Sequence, residues 1–364
     1  MSPDRPGGPR RPPVPGAREV RTEDAFDVAA LDAWLRARVG QLGSGDPEVL
    51  QFRGGASNLT FLLRYPERDV VMRRPPRGRK AKSAHDMRRE YDVQRLVRPH
   101  FAAVPQMLAY APAEDSPLDS ELYVMSFVPG LILGRDLPPG LGLDERRLRR
   151  LALHLVDTLA DLNTVDAVAA GLGHLDKGLG YPRRQVEGWS RRFRDARTDD
   201  VPDGERVMDW LAGRIPDDAA HGLIHGDWRF ANLVLDRDLF TVRAVLDWEM
   251  ATIGDPLMDL GATLAYWVQA DDDETFHQFR MQPSDVPGMP ARDEVVAHYL
   301  HRTGLTLPDV GWSFYEVFGL FRLAVIIQQI WYRFRAGQTT NPAFAGYGAA
   351  CTYLLGRCER IMAG

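Results

Sequence analysis

The chain has 364 residues, of which 45% are hydrophobic and 26% are charged, and its formal net charge is −5. These values describe an ordinary globular protein that is long enough to form two lobes or domains. The negative balance argues against a general nucleic-acid or anionic-membrane binder. The most apolar run, residues 318–327, contains Arg322 and is too short to span a bilayer, so we expect no membrane partner and a cytoplasmic location.

The first part of the chain changes from a polar tail to a sheet-forming segment. Residues 1–20 are rich in proline, arginine and glycine, which predicts disorder. Asp27 can then cap a helix, and a second helix that Ser83 can cap contains Glu90. The strand-like runs around these helices are 49–53, 59–65, 69–73, 105–110 and 122–127. We therefore predict a small antiparallel-sheet lobe over residues 21–128.

Beyond residue 128 the apolar spacing becomes helical. Val128-Pro129-Gly130 punctuates the chain and predicts a hinge. A long buried helix is indicated by apolar residues that recur every three or four positions, Leu148, Leu151, Leu155, Leu159 and Leu162. Further helical spacing covers 256–270, 291–303, 312–335 and 343–362. Residues 129–364 are thus predicted to form a larger, mainly helical lobe.

Two short segments in this second lobe concentrate oxygen-bearing side chains. Residues 225–232 read His-Gly-Asp-Trp-Arg-Phe-Ala-Asn, and residues 246–249 read Leu-Asp-Trp-Glu. The residues between them predict a β-hairpin, which would return Asp247 to the side of Asn232. Hard oxygen ligands of this kind suit Mg²⁺ carried on a nucleotide phosphate. Asp227 is then left to accept a proton from a hydroxyl.

This pattern resembles the catalytic core of kinases. The form H-G-D-x-x-x-x-N followed by L-D-x-E is similar to the aminoglycoside phosphotransferase and choline kinase family, whereas protein kinases would read H-R-D and D-F-G. Residues 245–260 resemble a narrower branch, the phosphotransferase domains associated with acyl-CoA dehydrogenases. The resemblance runs from about Gln51 to Leu260, and more loosely to the end of the sequence. It implies a bilobal, protein-kinase-like α+β fold that binds Mg-ATP between the lobes.

The resemblance implies a role for each residue of the motif. Asp227 is the catalytic base, and Asn232 and Asp247 bind Mg²⁺. The alternatives are a helix or turn cap for Asp227, an Asx turn for Asn232 and a strand-end cap for Asp247. His225 is expected to brace the loop by hydrogen bonds.

Three further residues outside the motif are notable: two are predicted to be structural, and one differs from the residue that the branch has at that position. Asp255 and Asp259 are expected to stabilise the catalytic loop. The branch has Leu-His at the end of the long helix where this chain has Leu162-Asn163.

A glycine-rich segment upstream fits a loop that covers nucleotide phosphates. Gly54, Gly55, Ser57 and Asn58 lie between two predicted strands, where small residues let backbone N–H groups approach phosphate closely. The alternative is an ordinary Gly-Gly hairpin turn.

The third strand lacks the lysine that kinases place there to bind phosphate. Alternation puts Arg73 on the face opposite Met72, so Arg73 is predicted to bind the nucleotide with Glu90 as its ion-pair partner. A solvated surface pair is the alternative. Met125 and Phe127 lie where a hinge would offer backbone groups to adenine.

The function that these features predict is transfer of the ATP γ-phosphate to a hydroxyl of a small-molecule acceptor. The branch resemblance implies a hydroxylated acyl acceptor. The alternatives are an aminoglycoside O-phosphotransferase or a catalytically weak nucleotide-binding regulator. A basic segment over 183–197 could meet an anionic acceptor, and an acidic run over 271–274 could attract a polyamine, although most charge runs are solvated faces. Neither ATP over GTP nor an oligomeric state is indicated.

Overall fold

The structure is a computed structural model that describes residues 12–52, 58–76, 86–236, 238–239 and 241–364. The chain divides into two compact units. Unit 1 comprises Met1–Arg95 and Pro105–Val128, and unit 2 comprises Leu96–Val104 and Pro129–Gly364.

Unit 1 is built on an antiparallel sheet. Its helices are α1 (Val28–Arg36) and α2 (Met87–Val97), of which α2 continues into unit 2. Its strands are β1 (Ala17–Arg18), β2 (Glu48–Phe52), β3 (Leu59–Arg64), β4 (Asp69–Arg74), β5 (Met107–Ala111) and β6 (Leu122–Ser126). They pair in the order β1-β2-β3-β4-β6-β5.

The start of unit 1 corrects one expectation and matches another. Ala17 and Arg18 pair with β2, so the chain is already ordered inside the segment that the composition predicts to be disordered. Of that segment, residues 1–11 lie outside the described residues. The N-terminus of α1 is capped as predicted, because the Asp27 carboxylate accepts a hydrogen bond from the N–H of Ala30 at 2.9 Å.

Both faces of β4 are buried, which decides where Arg73 can point. Val70 and Met72 belong to the core cluster that contains the α1 residues Leu31 and Leu35. Val71 belongs to the cluster on the other face. Because side chains alternate along a strand, Arg73 shares the face of Val71, as the alternation predicts.

Unit 2 is mainly helical. Its helices are α3 (Glu145–Asn163), α4 (Tyr181–Asp195), α5 (Glu205–Ala212), α6 (Pro256–Leu264), α7 (Glu274–Gln278), α8 (Arg292–Thr303), α9 (Trp312–Arg335) and α10 (Tyr347–Ala363). Its strands are β7 (Gly222–Ile224), β8 (Leu233–Leu235), β9 (Val242–Val245) and β10 (Thr252–Gly254). Strand β7 pairs with β10, and β8 pairs with β9 in the predicted hairpin.

The prediction of one helix over 256–270 is wrong at its C-terminal end. Helix α6 ends at Leu264, and the N–H groups of Tyr266 and Trp267 bond three residues back in tighter turns. The Trp267 indole N–H donates to the carbonyl of Pro290 at 3.0 Å. A tertiary contact therefore ends a helix that the apolar spacing alone would continue.

Helices α6 and α9 approach each other through glycine. A Cβ atom on Gly319 would lie 2.1 Å from the carbonyl oxygen of Gly261, so only glycine fits at this crossing. Among the described residues, α9 is the one helix that is long and apolar enough to cross a membrane by length and composition, although 67% of its most apolar window is buried. The expectation that the apolar run at 318–327 is too short to span a bilayer is thereby corrected. Its burial is also what a core helix would show.

Helix α6 begins at a buried carboxylate. Asp255 is fully buried and accepts hydrogen bonds from the N–H groups of Leu257 at 2.7 Å and Ala219 at 2.9 Å. Burial nevertheless raises the pKa of Asp255 to about 6, because it disfavours the charged form more than these bonds favour it. The folded protein therefore binds a proton that the unfolded chain releases near its ordinary pKa of about 3.9.

This proton contributes stability that is complete below about pH 4 and is lost as the pH rises through 6. We expect the free energy of unfolding of the wild type, relative to Asp255→Asn, to fall by about 2 kcal/mol between about pH 4.5 and 7.5. Chemical denaturation of both proteins across this range measures the difference. A constant difference would show that Asp255 does not titrate in this window.

Candidate active site

The predicted catalytic loop follows β7 and is held by one buried carboxylate. Asp259 of α6 is 1% exposed and accepts hydrogen bonds from the backbone N–H groups of His225 and Gly226, each at 2.8 Å. Gly226 has a φ of +79°, and a Cβ there would lie 2.9 Å from Cβ of Met250. The turn that presents Asp227 therefore needs glycine for both its conformation and its space.

The carboxylate of Asp227 is oriented by two neighbours that bind the same oxygen. Oδ2 accepts from Nδ2 of Asn232 at 2.8 Å and from Nε of Arg229 at 3.2 Å. Among the described residues these contacts engage Oδ2, which leaves Oδ1 as the oxygen that can receive a hydroxyl proton. The orientation is what a general base requires.

Asn232 and the hairpin carry Asp247 to the same place. Nδ2 of Asn232 also donates to the backbone carbonyl of Asp227 at 2.8 Å, so its amide oxygen points elsewhere and is free to serve as a ligand. The N–H of Leu246 donates to the carbonyl of Asn232 at 2.8 Å. Asp247 follows directly, in a left-handed conformation with a φ of 65°. The structure thus brings together the three residues that the motif predicts.

Arg229 lies in the electric field of both carboxylates. Burial alone would lower the pKa of this guanidinium, but Asp227 and, more weakly, Asp247 raise it above its ordinary value. The side chain lies over the ring of Tyr266 at 5.4 Å. Sequence reasoning missed Arg229, although its position two residues after Asp227 is a signal that spacing alone provides.

His225 braces the loop, as the sequence predicts. Its Nδ1 accepts from the N–H of Asp227 at 3.2 Å, and its Nε2 lies 3.1 Å from the carbonyl of Leu246. This pair of partners assigns the ring as neutral with the proton on Nε2. The ring packs edge-to-face against Trp228 and Trp248. His225 therefore ties the loop of the predicted base to the residue that precedes Asp247.

The donor set fits a magnesium ion brought by a nucleotide. Within the described residues no group of three or more His, Cys, Asp or Glu side chains is placed to hold a metal. One carboxylate at Asp247 and one amide oxygen at Asn232 are instead hard ligands that leave most positions to phosphate and water. Mg²⁺ prefers this arrangement over an all-protein cage.

In unit 1 the predicted arginine–glutamate pair is present and buried. Nη1 of Arg73 donates to Oε1 of Glu90, and the two residues are 7% and 1% exposed. The hydroxyl of Tyr123 lies 3.3 Å from the same Nη1. The alternative of a solvated surface pair is therefore wrong.

The other predicted nucleotide contacts are only partly described. Asn58 is 2% exposed, and neither the nitrogen nor the oxygen of its amide has a hydrogen-bond partner among the described residues. Gly54, Gly55 and Ser57 lie outside the described residues. Met125 pairs within the sheet opposite Val71.

The N–H of Phe127 donates to the carbonyl of Asp69 at 3.3 Å. This bond argues against Phe127 as a donor to adenine.

Asn163 joins the support of the catalytic loop. Its Nδ2 donates to the carbonyl of Leu223 at 2.8 Å and lies 3.4 Å from Oδ2 of Asp259. The hydroxyl of Tyr299 donates to its Oδ1 at 2.6 Å. The asparagine that departs from the branch pattern is thus a neutral bridge between α8 and the loop.

The two charge clusters differ in what they bind. In the acidic run, Asp272 pairs with Arg292 and Arg357, and Asp273 caps α7. In the basic segment, Arg184 bonds backbone carbonyls and Arg194 pairs with Glu205. Asp272 and Asp273 of the acidic run therefore make contacts within the protein.

Residues 48–295 match the model of the phosphotransferase enzyme family. The chain belongs to this family. Acyl-CoA dehydrogenase family member 10 of Mus musculus is 33% identical over 329 residues, which cover 90% of this chain and 30% of that protein. This phosphotransferase chain thus spans less than a third of that relative. The predicted family, including its acyl-CoA-dehydrogenase-associated branch, is confirmed.

Solved structures agree with the fold of this phosphotransferase. A Ralstonia eutropha protein, proposed to be an aminoglycoside phosphotransferase, is 30% identical with a TM-score of 0.78, and the match covers 93% of this chain and 98% of that one. An aminoglycoside phosphotransferase variant in a ternary complex with ADP and hygromycin B is 18% identical, with a TM-score of 0.57 over 88% of this chain and 96% of that one. The predicted kinase-like α+β fold is confirmed.

The buried pair in unit 1 leads to a kinetic prediction. We expect Arg73→Ala to raise the KM for ATP at least about tenfold, because a charge-assisted hydrogen bond to phosphate contributes about 1.5–3 kcal/mol. Arg95→Ala, which removes a half-exposed arginine from the same helix as Glu90, is the control. Melting temperatures separate a loss of nucleotide binding from unfolding caused by the unpaired Glu90. An unchanged KM in a folded Arg73→Ala protein would remove Arg73 from the nucleotide site.

Proposed function

We propose that this phosphotransferase is an ATP-dependent small-molecule kinase that acts on a hydroxyl group. The observation that carries the proposal is the joint placement of Asp227, Asn232 and Asp247 at the end of a braced hairpin. In the proposed reaction the acceptor oxygen forms a bond to the γ-phosphorus while the bond from that phosphorus to the β,γ-bridging oxygen breaks. The hydroxyl proton passes to Oδ1 of Asp227, and the products are ADP and a phosphate ester.

The residues of unit 2 would orient the reacting groups. Asn232 and Arg229 hold one carboxylate oxygen of Asp227, so the other is directed at the acceptor. Asn232 through its amide oxygen and Asp247 through its carboxylate would hold Mg²⁺, which when bound neutralises charge on the transferred phosphoryl group. In unit 1, Arg73 and Asn58 would bind phosphate oxygens. Arg73 replaces the usual lysine without loss of charge, since a guanidinium stays protonated at any physiological pH.

Nucleotide use is supported by the family and by the buried polar groups of unit 1. The related phosphotransferase crystallised with ADP has the same fold. In the described part of this chain, the buried amide of Asn58 has no hydrogen-bond partner, which is costly unless another group or a ligand satisfies it. A phosphate oxygen would accept from that amide.

The acceptor that the relatives favour is a hydroxylated acyl compound. The curated relative is an acyl-CoA dehydrogenase family member, and this chain matches less than a third of it. An aminoglycoside acceptor is less favoured, because Asp272, the buried member of the acidic run that would attract a polyamine, is paired with Arg292 and Arg357. A nucleotide-binding regulator without turnover is disfavoured by the oriented carboxylate of Asp227.

Loss of the base should separate turnover from binding. We expect Asp227→Asn to keep the affinity for Mg-ATP within about threefold and to reduce kcat by about 10²–10⁴, the usual contribution of a general base. Asp209→Asn, at an exposed position on α5, is the matched control. Calorimetric titration with a non-hydrolysable ATP analogue and a coupled ADP-release assay provide the two readouts. A kcat near that of the wild type in Asp227→Asn would contradict the role of Asp227 as the general base.

The metal assignment predicts a specific change in magnesium dependence. We expect Asp247→Asn to raise the Mg²⁺ concentration for half-maximal activity at least about tenfold, because one charged ligand is lost. The same Asp209→Asn control should keep the wild-type dependence. If the magnesium profile of Asp247→Asn overlays that of the wild type, Asp247 does not hold the ion.

A further inference from the structure

The middle of α9 places an arginine in the protein interior. Arg322 is 6% exposed, and its Nη2 donates to the carbonyl of Gly226 at 2.5 Å. Among the residues that the structure describes, no Asp or Glu lies within 4.0 Å of its guanidinium nitrogens. Its direct hydrogen-bond partner there is thus a neutral carbonyl and not a carboxylate.

Arg322 differs from four partly buried arginines of unit 2 that each have a carboxylate within ion-pair distance: Arg229 with Asp227, Arg280 with Asp285, Arg292 with Asp272, and Arg357 with Asp272. Burying an ion is costly unless a partner compensates it. Within the described part of the chain, Arg322 is thus a buried cation without a direct ion-pair partner.

The neighbours of Arg322 add positive charge rather than offset it. Its guanidinium lies 5.1 Å from the ring of Trp189, and the guanidinium of Arg192 lies 4.7 Å from the same ring. The pKa of Arg192 is lowered, first by burial and then by the charges of Arg191 and Arg322. A cation over an indole ring is attracted to it but keeps its charge.

This cationic position is next to the proposed base. Arg322 binds the carbonyl of Gly226, and Asp227 is the next residue, with its Cα about 3.8 Å from that of Gly226. A single residue therefore links Arg322 to the proposed base.

We propose that Arg322 is a specificity-determining residue that binds an anionic oxygen group, a carboxylate or a phosphate, on the acceptor. The guanidinium keeps its bond to Gly226 and offers its remaining N–H groups to the anion, a geometry that planar arginine favours. Trp189 fixes the plane of the guanidinium. The inference rests on the proposed kinase function and deepens it, because it names the charge of the acceptor.

The test measures binding by the whole chain with Mg-ADP present and the ionic strength held constant. The probes are hexanoate against hexanamide, and hexyl phosphate against hexanol, so that each anion has a neutral partner of similar size. The variants are Arg322→Gln and Arg322→Lys, and the control is Arg191→Gln, which removes an exposed charge from the same region. Calorimetry gives the affinities.

We expect the wild type to bind at least one anionic probe ten or more times more tightly than its neutral partner. Arg322→Gln should lose this preference, and Arg191→Gln should keep it. The pair of probes that shows the preference tells whether the anionic group on the acceptor is a carboxylate or a phosphate. Equal affinity for charged and neutral probes, or an unchanged preference in Arg322→Gln, overturns the proposal.

Folding and nucleotide binding are controlled separately. Removal of an uncompensated interior charge should leave the melting temperature of Arg322→Gln equal to or above that of the wild type. If Arg322→Gln does not fold, Arg322→Lys decides: a threefold or greater loss of preference supports the proposal, because lysine lacks the planar fork, and no loss overturns it. Titration with Mg-ADP alone tests the kinase function, so its failure is distinguishable from failure of the anion site.

Discussion

The catalytic loop depends on the carboxylate of Asp259. This group is almost fully buried, and the N–H groups of His225 and Gly226 both donate to it. The same bonds leave the loop one orientation relative to α6. Helix α6 is in turn held by Asp255 at its start and by the glycine crossing with α9. An interaction with no part in chemistry thus determines where Asp227 lies.

The hairpin that carries Asp247 is held to this loop by neutral groups. The ring of His225 accepts a bond from Asp227 N–H and lies within hydrogen-bond distance of the carbonyl of Leu246, and Asn163 adds a second neutral bridge beneath Asp259. Neutral braces keep their geometry when the charge near Asp227 changes during a phosphoryl transfer. Within the described part of the chain, the charge in direct contact with the Asp227 carboxylate is that of Arg229. The hairpin is therefore joined to the loop by uncharged groups, and Arg229 supplies the charge beside Asp227.

The sequence predicted the parts of the fold that short-range patterns determine. The hairpin was readable from two apolar runs around a polar turn, and the 312–335 helix from an apolar pattern with no proline. The C-terminal end of α6 could not be predicted from the sequence, because it depends on the hydrogen bond from Trp267 to the distant Pro290. Arg322 could not be assigned, since its partner Gly226 lies 96 residues away in the chain. The sequence motifs therefore identified Asp227, Asn232, Asp247 and Asp259, whereas Arg229 and Arg322, which no motif specifies, were missed.

The charges around Asp227 bear on the acceptor more directly than the family does. Members of one fold accept unlike molecules, because acceptor recognition resides in side chains that the motif does not include. Here Asp272 of the acidic run is paired with arginines of α8 and α10, whereas Arg192 and Arg322 both lie over the ring of Trp189 and have no ion pair among the described residues. Two guanidinium groups therefore lie close together beside α9. A polyamine would be repelled there, and an anion would remove a cost that the fold otherwise carries.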